Sequence, residues 1–175
     1  MTTPPQYPLS PPPELLAHTI TPDDLEHHIR ALTEAPATLR ATLATITDAQ
    51  LDTPYRNWTL RQITHHISDS HLNALIRFKW ALTEDAPTIK AYDENQWTNL
   101  RVARTAPVAI ALDLLDATHA AWVALIGTLT MDELNRTFVH PESADTVRIA
   151  DMIPHYAWHA AHHTAQIAWR RDHPA

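Results

Sequence analysis

A single glycine, Gly127, occurs in a chain of 175 residues. Tight β-hairpins draw on glycine for backbone conformations that other residues resist, so this chain has little turn chemistry for a sheet protein. No convincing succession of strands is read along it. Apolar residues recur at helical spacing in four long segments instead, which predicts an all-α fold.

The first helix starts at Thr21, where a hydroxyl N-cap is followed by Pro22 in the first turn and by Asp23 and Asp24 at the positive end of the helix dipole. It is expected to run to about Thr47, with Pro36 as a kink or break. The second starts in NWTLRQITHHISDSHLNALIRFKWAL, where Leu60, Ile63, Ile67, Ala74, Phe78 and Ala81 share one face, and ends near Thr83. EDAPTIKAYDENQW reads as a polar surface loop of the kind that borders sites. A third helix is expected from about Ala106 to Gly127, the glycine acting as its stop. Thr130 with Glu133 matches a capping box for a short helical turn. The fourth is expected from about Val147 to Arg171, bent at Pro154. Four apolar stripes predict a four-helix bundle over residues 21–175 as one domain. Six prolines among the first thirteen residues predict an extended N-terminal arm over residues 1–20.

With 13 Lys and Arg against 20 Asp and Glu, the chain has no basic footprint for a phosphate backbone, so nucleic acid is not an expected partner. It has no cysteine, which removes disulfides and thiolate nucleophiles and leaves histidine and carboxylate as the metal donors. No uninterrupted apolar run approaches the length of a membrane span, and MTTPPQYPLSPPPELL lacks the regions of a signal peptide. The expectation is a cytoplasmic protein with no membrane partner.

HYAWHAAHHTAQIAW, residues 155–169, holds four of the chain's 13 histidines. With His155 at 0° on a helical wheel, His159 falls at about 40°, His162 at about 340° and His163 at about 80°. The apolar stripe of Ile149, Met152, Ile153, Tyr156, Ala160 and Ile167 spans roughly 60° to 160°, so His163 lies within it, His159 at its border, and the other two outside. A pair of imidazoles one turn apart is spaced to meet one metal ion, and equally to be satisfied by hydrogen bonds in a core.

On the second helix His66 lies at the border of the apolar stripe and His65 points about 165° from its centre. His66 is therefore either a third ligand or a surface residue. Ser70, Asn73 and Arg77 continue along the His66 edge, a polar track at the rim of an apolar stripe, which looks like a cavity lining. His71 falls inside the stripe; together with His27, His28 and His119 it reads as an ordinary residue. There is no Glu-x-x-His motif for a ferritin-like di-iron site and no H-E-x-x-H of common zinc proteases. The six tryptophans read as packing. Tyr92, Asp93 and Glu94 are either a solvated loop or a loop over the metal mouth.

WTLRQITHHISDSHLNALIRFKWALTE, PTIKAYDENQW and YAWHAAHHTAQI together resemble the DinB/YfiT superfamily, and its YfiT-like metal-dependent hydrolases in particular. The resemblance covers nearly the whole chain. His66 follows the W-T-x-R-Q-x-x-H pattern, and His159 with His163 match H-x-x-x-H followed by Gln166. The resemblance implies one divalent metal per chain, zinc or nickel, held by His66, His159 and His163. Three ligands would leave a fourth position open for water or substrate, as in catalytic rather than structural zinc. The implied activity is that of a metal-dependent hydrolase. Thiol S-transfer with a bacillithiol- or mycothiol-type low-molecular-weight cosubstrate is an alternative, and a non-catalytic metal-braced bundle a second. Asn73, Arg77, Tyr92 and His162 are the expected contacts of a small-molecule substrate, and the resemblance implies a homodimer.

Overall fold

The structure is a computed structural model in which residues 21–174 are described. The proline-rich arm expected over residues 1–20 lies outside the described residues. Helix α1 (Pro22–Leu43) is followed by the short α2 (Asp48–Leu51), the hairpin β1 (Pro54–Tyr55) and β2 (Trp58–Thr59), and the long α3 (Leu60–Thr83). Then come α4 (Glu94–Asn99), α5 (Arg101–Thr105), α6 (Val108–Ile126) and α7 (Met131–Leu134). A second hairpin, β3 (Thr137–Val139) with β4 (Thr146–Arg148), leads into α8 (Ile149–Asp172). The long helices α1, α3, α6 and α8 form the four-helix bundle: α1 packs on α6 and α8, and α3 packs on the same two.

Local chemistry explains where the elements begin. Thr21, Thr47, Thr59 and Thr130 each accept a hydrogen bond from the backbone N–H three residues on, and the side chains of Asp24, Gln50, Gln62 and Glu133 reach back to the four N-cap backbones. The sequence expectations need four corrections. The first helix ends at Leu43, because Thr47 caps a new helix, and it runs unbroken through Pro36. Residues 84–97 are not a plain loop, since Asp93 caps α4 and Ile89 is buried in the core. Two short hairpins exist; strands of two or three residues are too short to leave a period in the sequence. The last helix begins at Ile149 and is continuous through Pro154.

By length and composition α6 could cross a membrane. Part of its apolar content serves the core: Ala111, Leu112, Leu115, Trp122 and Ile126 are buried against the neighbouring helices, whereas Ile110 and Leu114 are exposed. Gly127 ends it with φ −64°, an ordinary right-handed conformation.

The core consists of two apolar clusters. One contains Leu32, Phe78, Trp122, Ile149 and Ile153, the other Leu39, Leu60, Ile63, Ile67, Leu115 and Ile167. Burial of each such side chain contributes about 1.5–3 kcal/mol. Along every long helix a short stretch falls between the two clusters: Pro36 on α1, Ser68 to His71 on α3, Thr118 and His119 on α6, and His159 to Gln166 on α8. A polar layer therefore crosses the middle of the bundle.

Candidate metal centre

Three buried imidazoles meet in that layer. His66 of α3 and His159 and His163 of α8 each offer a ring nitrogen, and these atoms lie within 4.8 Å of one another. His66 Nε2 is 3.2 Å from His159 Nε2. Two nitrogens bound to one tetrahedral zinc at their usual distance are about 3.4 Å apart, so the donor set fits a zinc-sized ion. Burial, reinforced by the neighbouring imidazoles, holds His66 and His159 well below the usual histidine range. Burial brings His163 down to about 4 despite the opposing effect of the hydrogen bond it donates to Gln166. All three are neutral at pH 7, the form that binds metal.

The Nδ1 atoms of His159 and His163 have partners of their own. His163 Nδ1 lies 2.8 Å from Gln166 Oε1, and Gln166 Nε2 lies 2.8 Å from His162 Nε2. The amide oxygen thus accepts a hydrogen bond from His163 Nδ1–H and the amide N–H donates one to His162, leaving a lone pair on His163 Nε2. His159 Nδ1 faces His71 Nε2 at 3.1 Å. Trp58 packs on His66 with ring centroids 4.7 Å apart.

The three histidines line a cavity of about 810 Å³. Of the four expected substrate contacts, Arg77, Tyr92 and His162 line it as well. Asn73 does not: its amide donates to the carbonyl of Asp69 one turn earlier on α3. Arg77 Nη1 is 3.5 Å from the Tyr156 hydroxyl, and its Nε is buried with no partner. Tyr92 packs on Trp97 at 4.5 Å, and burial raises its phenol above the ordinary range. Glu94 borders the same cavity, its carboxyl pushed up chiefly by burial and held back by Arg77. A second cavity of about 240 Å³, lined by Tyr55, Arg56 and Trp58, shares Glu94 and Asn95 with the first.

The motif residues around the three histidines act as braces. Gln62 Nε2 donates to the carbonyl of Thr98 and ties α4 to α3, which sets Glu94 over the cavity. Arg61 is buried and binds Asp48, Asp52 and the carbonyl of Ala106. His65 was expected to point away from the bundle; it is instead buried on that opposite side, near the Ala106 backbone. The wheel identified the side correctly, but α4 and α5 pack over it. His155 and His162 are half-buried at the cavity rim, as their angles implied. His71 and His119, read as ordinary, are fully buried, His71 facing His159 and His119 facing His71. Their spacing carried no signal because the partners stand on three different helices.

The chain belongs to the DinB superfamily, whose sequence pattern matches residues 31–167. It is 42% identical over 151 residues to a Bacillus subtilis protein named "Putative metal-dependent hydrolase YfiT", the match covering 85% of each chain. A Bacillus mycoides protein with the same general name is 44% identical over 156 residues, 88% of this chain and 89% of its own. The solved structure of YfiT from Bacillus subtilis, described as having "an unusual four-helix bundle topology", superposes with a TM-score of 0.86 at 40% identity. That superposition covers 89% of this chain and 90% of the other.

Proposed function

We propose that this protein is a metal-dependent hydrolase of small molecules, with His66, His159 and His163 holding one zinc or nickel ion. The observation that carries this reading is the convergence of three neutral, buried imidazole nitrogens within 4.8 Å on the wall of an open cavity. Imidazole donors suit zinc or nickel better than magnesium or calcium. An ion held by three protein donors would keep room for an exchangeable ligand. An ion bound there supplies Lewis acidity, acidifying water or a thiol and polarising a carbonyl.

The chain's own residues supply the rest. Arg77 and Tyr92 orient the substrate from the cavity wall, and His162 contacts it at the rim. Glu94, a carboxylate on the wall of the same cavity, takes the proton from the attacking group. Asp93 is committed to capping α4 and Asp151 to Arg148. A second reading is transfer of a low-molecular-weight thiol to an electrophile; two adjoining cavities, sharing Glu94 and Asn95, favour it. The reading extends to a cytoplasmic protein and to the homodimer that the family resemblance implies.

The test is elemental analysis of untagged protein combined with a screen of ester, amide and electrophile consumption, with and without added thiols. About one zinc or nickel per chain and thiol-independent turnover support the hydrolase. Strict thiol dependence supports transfer. Protein that cannot be loaded with either metal rules out both.

A further inference from the structure

Pro36 lies inside the unbroken helix α1. Proline has no backbone N–H, so the carbonyl four residues earlier, that of Leu32, loses its helical partner. Leu32 is fully buried, and an unpaired carbonyl there would be costly. His119 of α6 fills the gap: its Nδ1 is 2.5 Å from the Leu32 oxygen. A carbonyl oxygen only accepts, so the proton is on His119 Nδ1.

The direction of every later bond follows. A neutral imidazole carries one proton, so His119 Nε2 is a lone pair, and His71 Nδ1, 2.8 Å away, donates to it. His71 Nε2 is then a lone pair in turn, and it accepts from His159 Nδ1 at 3.1 Å. The last ring is left with its lone pair on Nε2, the atom facing His66. The rings of His71 and His119 are 20° from parallel with centroids 4.8 Å apart, close to the largest separation that a 2.8 Å nitrogen contact permits. They meet edge to edge, as hydrogen-bonded imidazoles do. His71 and His119 are both buried, where a charged imidazole would be expensive.

We propose that His119 and His71 are positioning residues for the metal centre: anchored on the carbonyl that Pro36 frees, they fix the tautomer of His159 and aim its Nε2 at the ion. This rests on the metal reading above. The line ends on a backbone carbonyl inside the core, which cannot take up a proton, so it orients the ligand and does not conduct charge. Partners of this kind, donor-side supports of a ligating histidine, typically carry 10- to 100-fold in metal affinity.

The test begins with long-range proton–nitrogen correlation spectra of the ¹⁵N-labelled full chain without metal. His71, His119 and His159 are each expected as the Nδ1–H tautomer. An Nε2–H signal on any of them overturns the proposal, whether or not the protein binds zinc. Zinc affinity is then measured by chelator competition for the parent, His119→Leu and His119→Gln, with circular dichroism as the folding control. Leucine should weaken binding by about 10- to 100-fold, whereas glutamine, which can donate to Leu32 and accept from His71, should recover most of it. A folded His119→Leu protein with parental zinc affinity overturns the proposal. If leucine prevents folding, the tautomers of the unaltered protein decide. If the parent binds no zinc, the metal reading fails while the spectra still judge the line of imidazoles.

Discussion

Gln166 stands less than one turn from His163 on α8 and joins it to His162, accepting from the first ring and donating to the second. A side-chain amide does both at once, through its oxygen and its N–H, whereas a carboxylate at this position would only accept and an ammonium only donate. Gln166→Leu is therefore expected to weaken zinc binding by about 10- to 100-fold without unfolding the bundle. Chelator competition with a melting curve alongside checks both halves.

Removal of a ligand is a harsher change. His66→Ala, His159→Ala and His163→Ala should each abolish stoichiometric metal, because two protein donors and water replace a three-donor site. His65→Ala should lower the melting temperature, since His65 is buried beside α5, yet retain metal. Elemental analysis of the four variants separates the neighbours. Loss of metal in the His65 variant with retention in the His66 variant would mean that the site is built on the wrong face of α3.

Acid should destabilise the metal-free protein. Burial takes His155 and His163 from an ordinary value of 6.5 down to about 4 in the folded chain. Between those values the unfolded chain binds more protons, so the stability these groups contribute is complete above about 6.5 and is lost as pH falls towards 4. Asp69 opposes this trend: burial pushes it from 3.8 up to about 6, and its contribution fades as pH rises through that range. The buried imidazoles outnumber it, with His66, His71 and His159 shifted in the same direction as His163. Urea midpoints at pH 7 and pH 5 should show the drop; equal midpoints would contradict neutral burial.

Glu94→Gln should leave metal content unchanged and lower turnover by about a hundredfold or more, the usual contribution of a positioned base. The pH profile of the residual activity should lose its acid limb. An unaltered profile would remove Glu94 from the reaction.

The bundle was legible because its four helices carry long apolar stripes and two of them, α1 and α3, have capped starts, and the choice of His66 over its neighbour followed from the regularity of α3. A wheel reports which way a residue faces, not what is packed there. That is why the wheel points His65 away from the stripe although α4 and α5 pack against its helix and bury it. Asn73 failed for a related reason, since its angle matched the cavity rim but its amide found a carbonyl on its own helix. His71 and His119 are separated by 48 residues in the chain, and nothing local marks them as partners. Only the assembled layer does.

Pro36 shows how a defect in one helix can specify chemistry in another. By helix propensity alone, alanine at this position would improve α1, and a search for stabilising substitutions would choose it early. The substitution would hand Leu32 a second donor and set the α1 backbone in competition with an imidazole two contacts away from a metal ligand. A sturdier scaffold and a less defined reaction centre would then come from the same change, made on a helix that contributes no ligand at all.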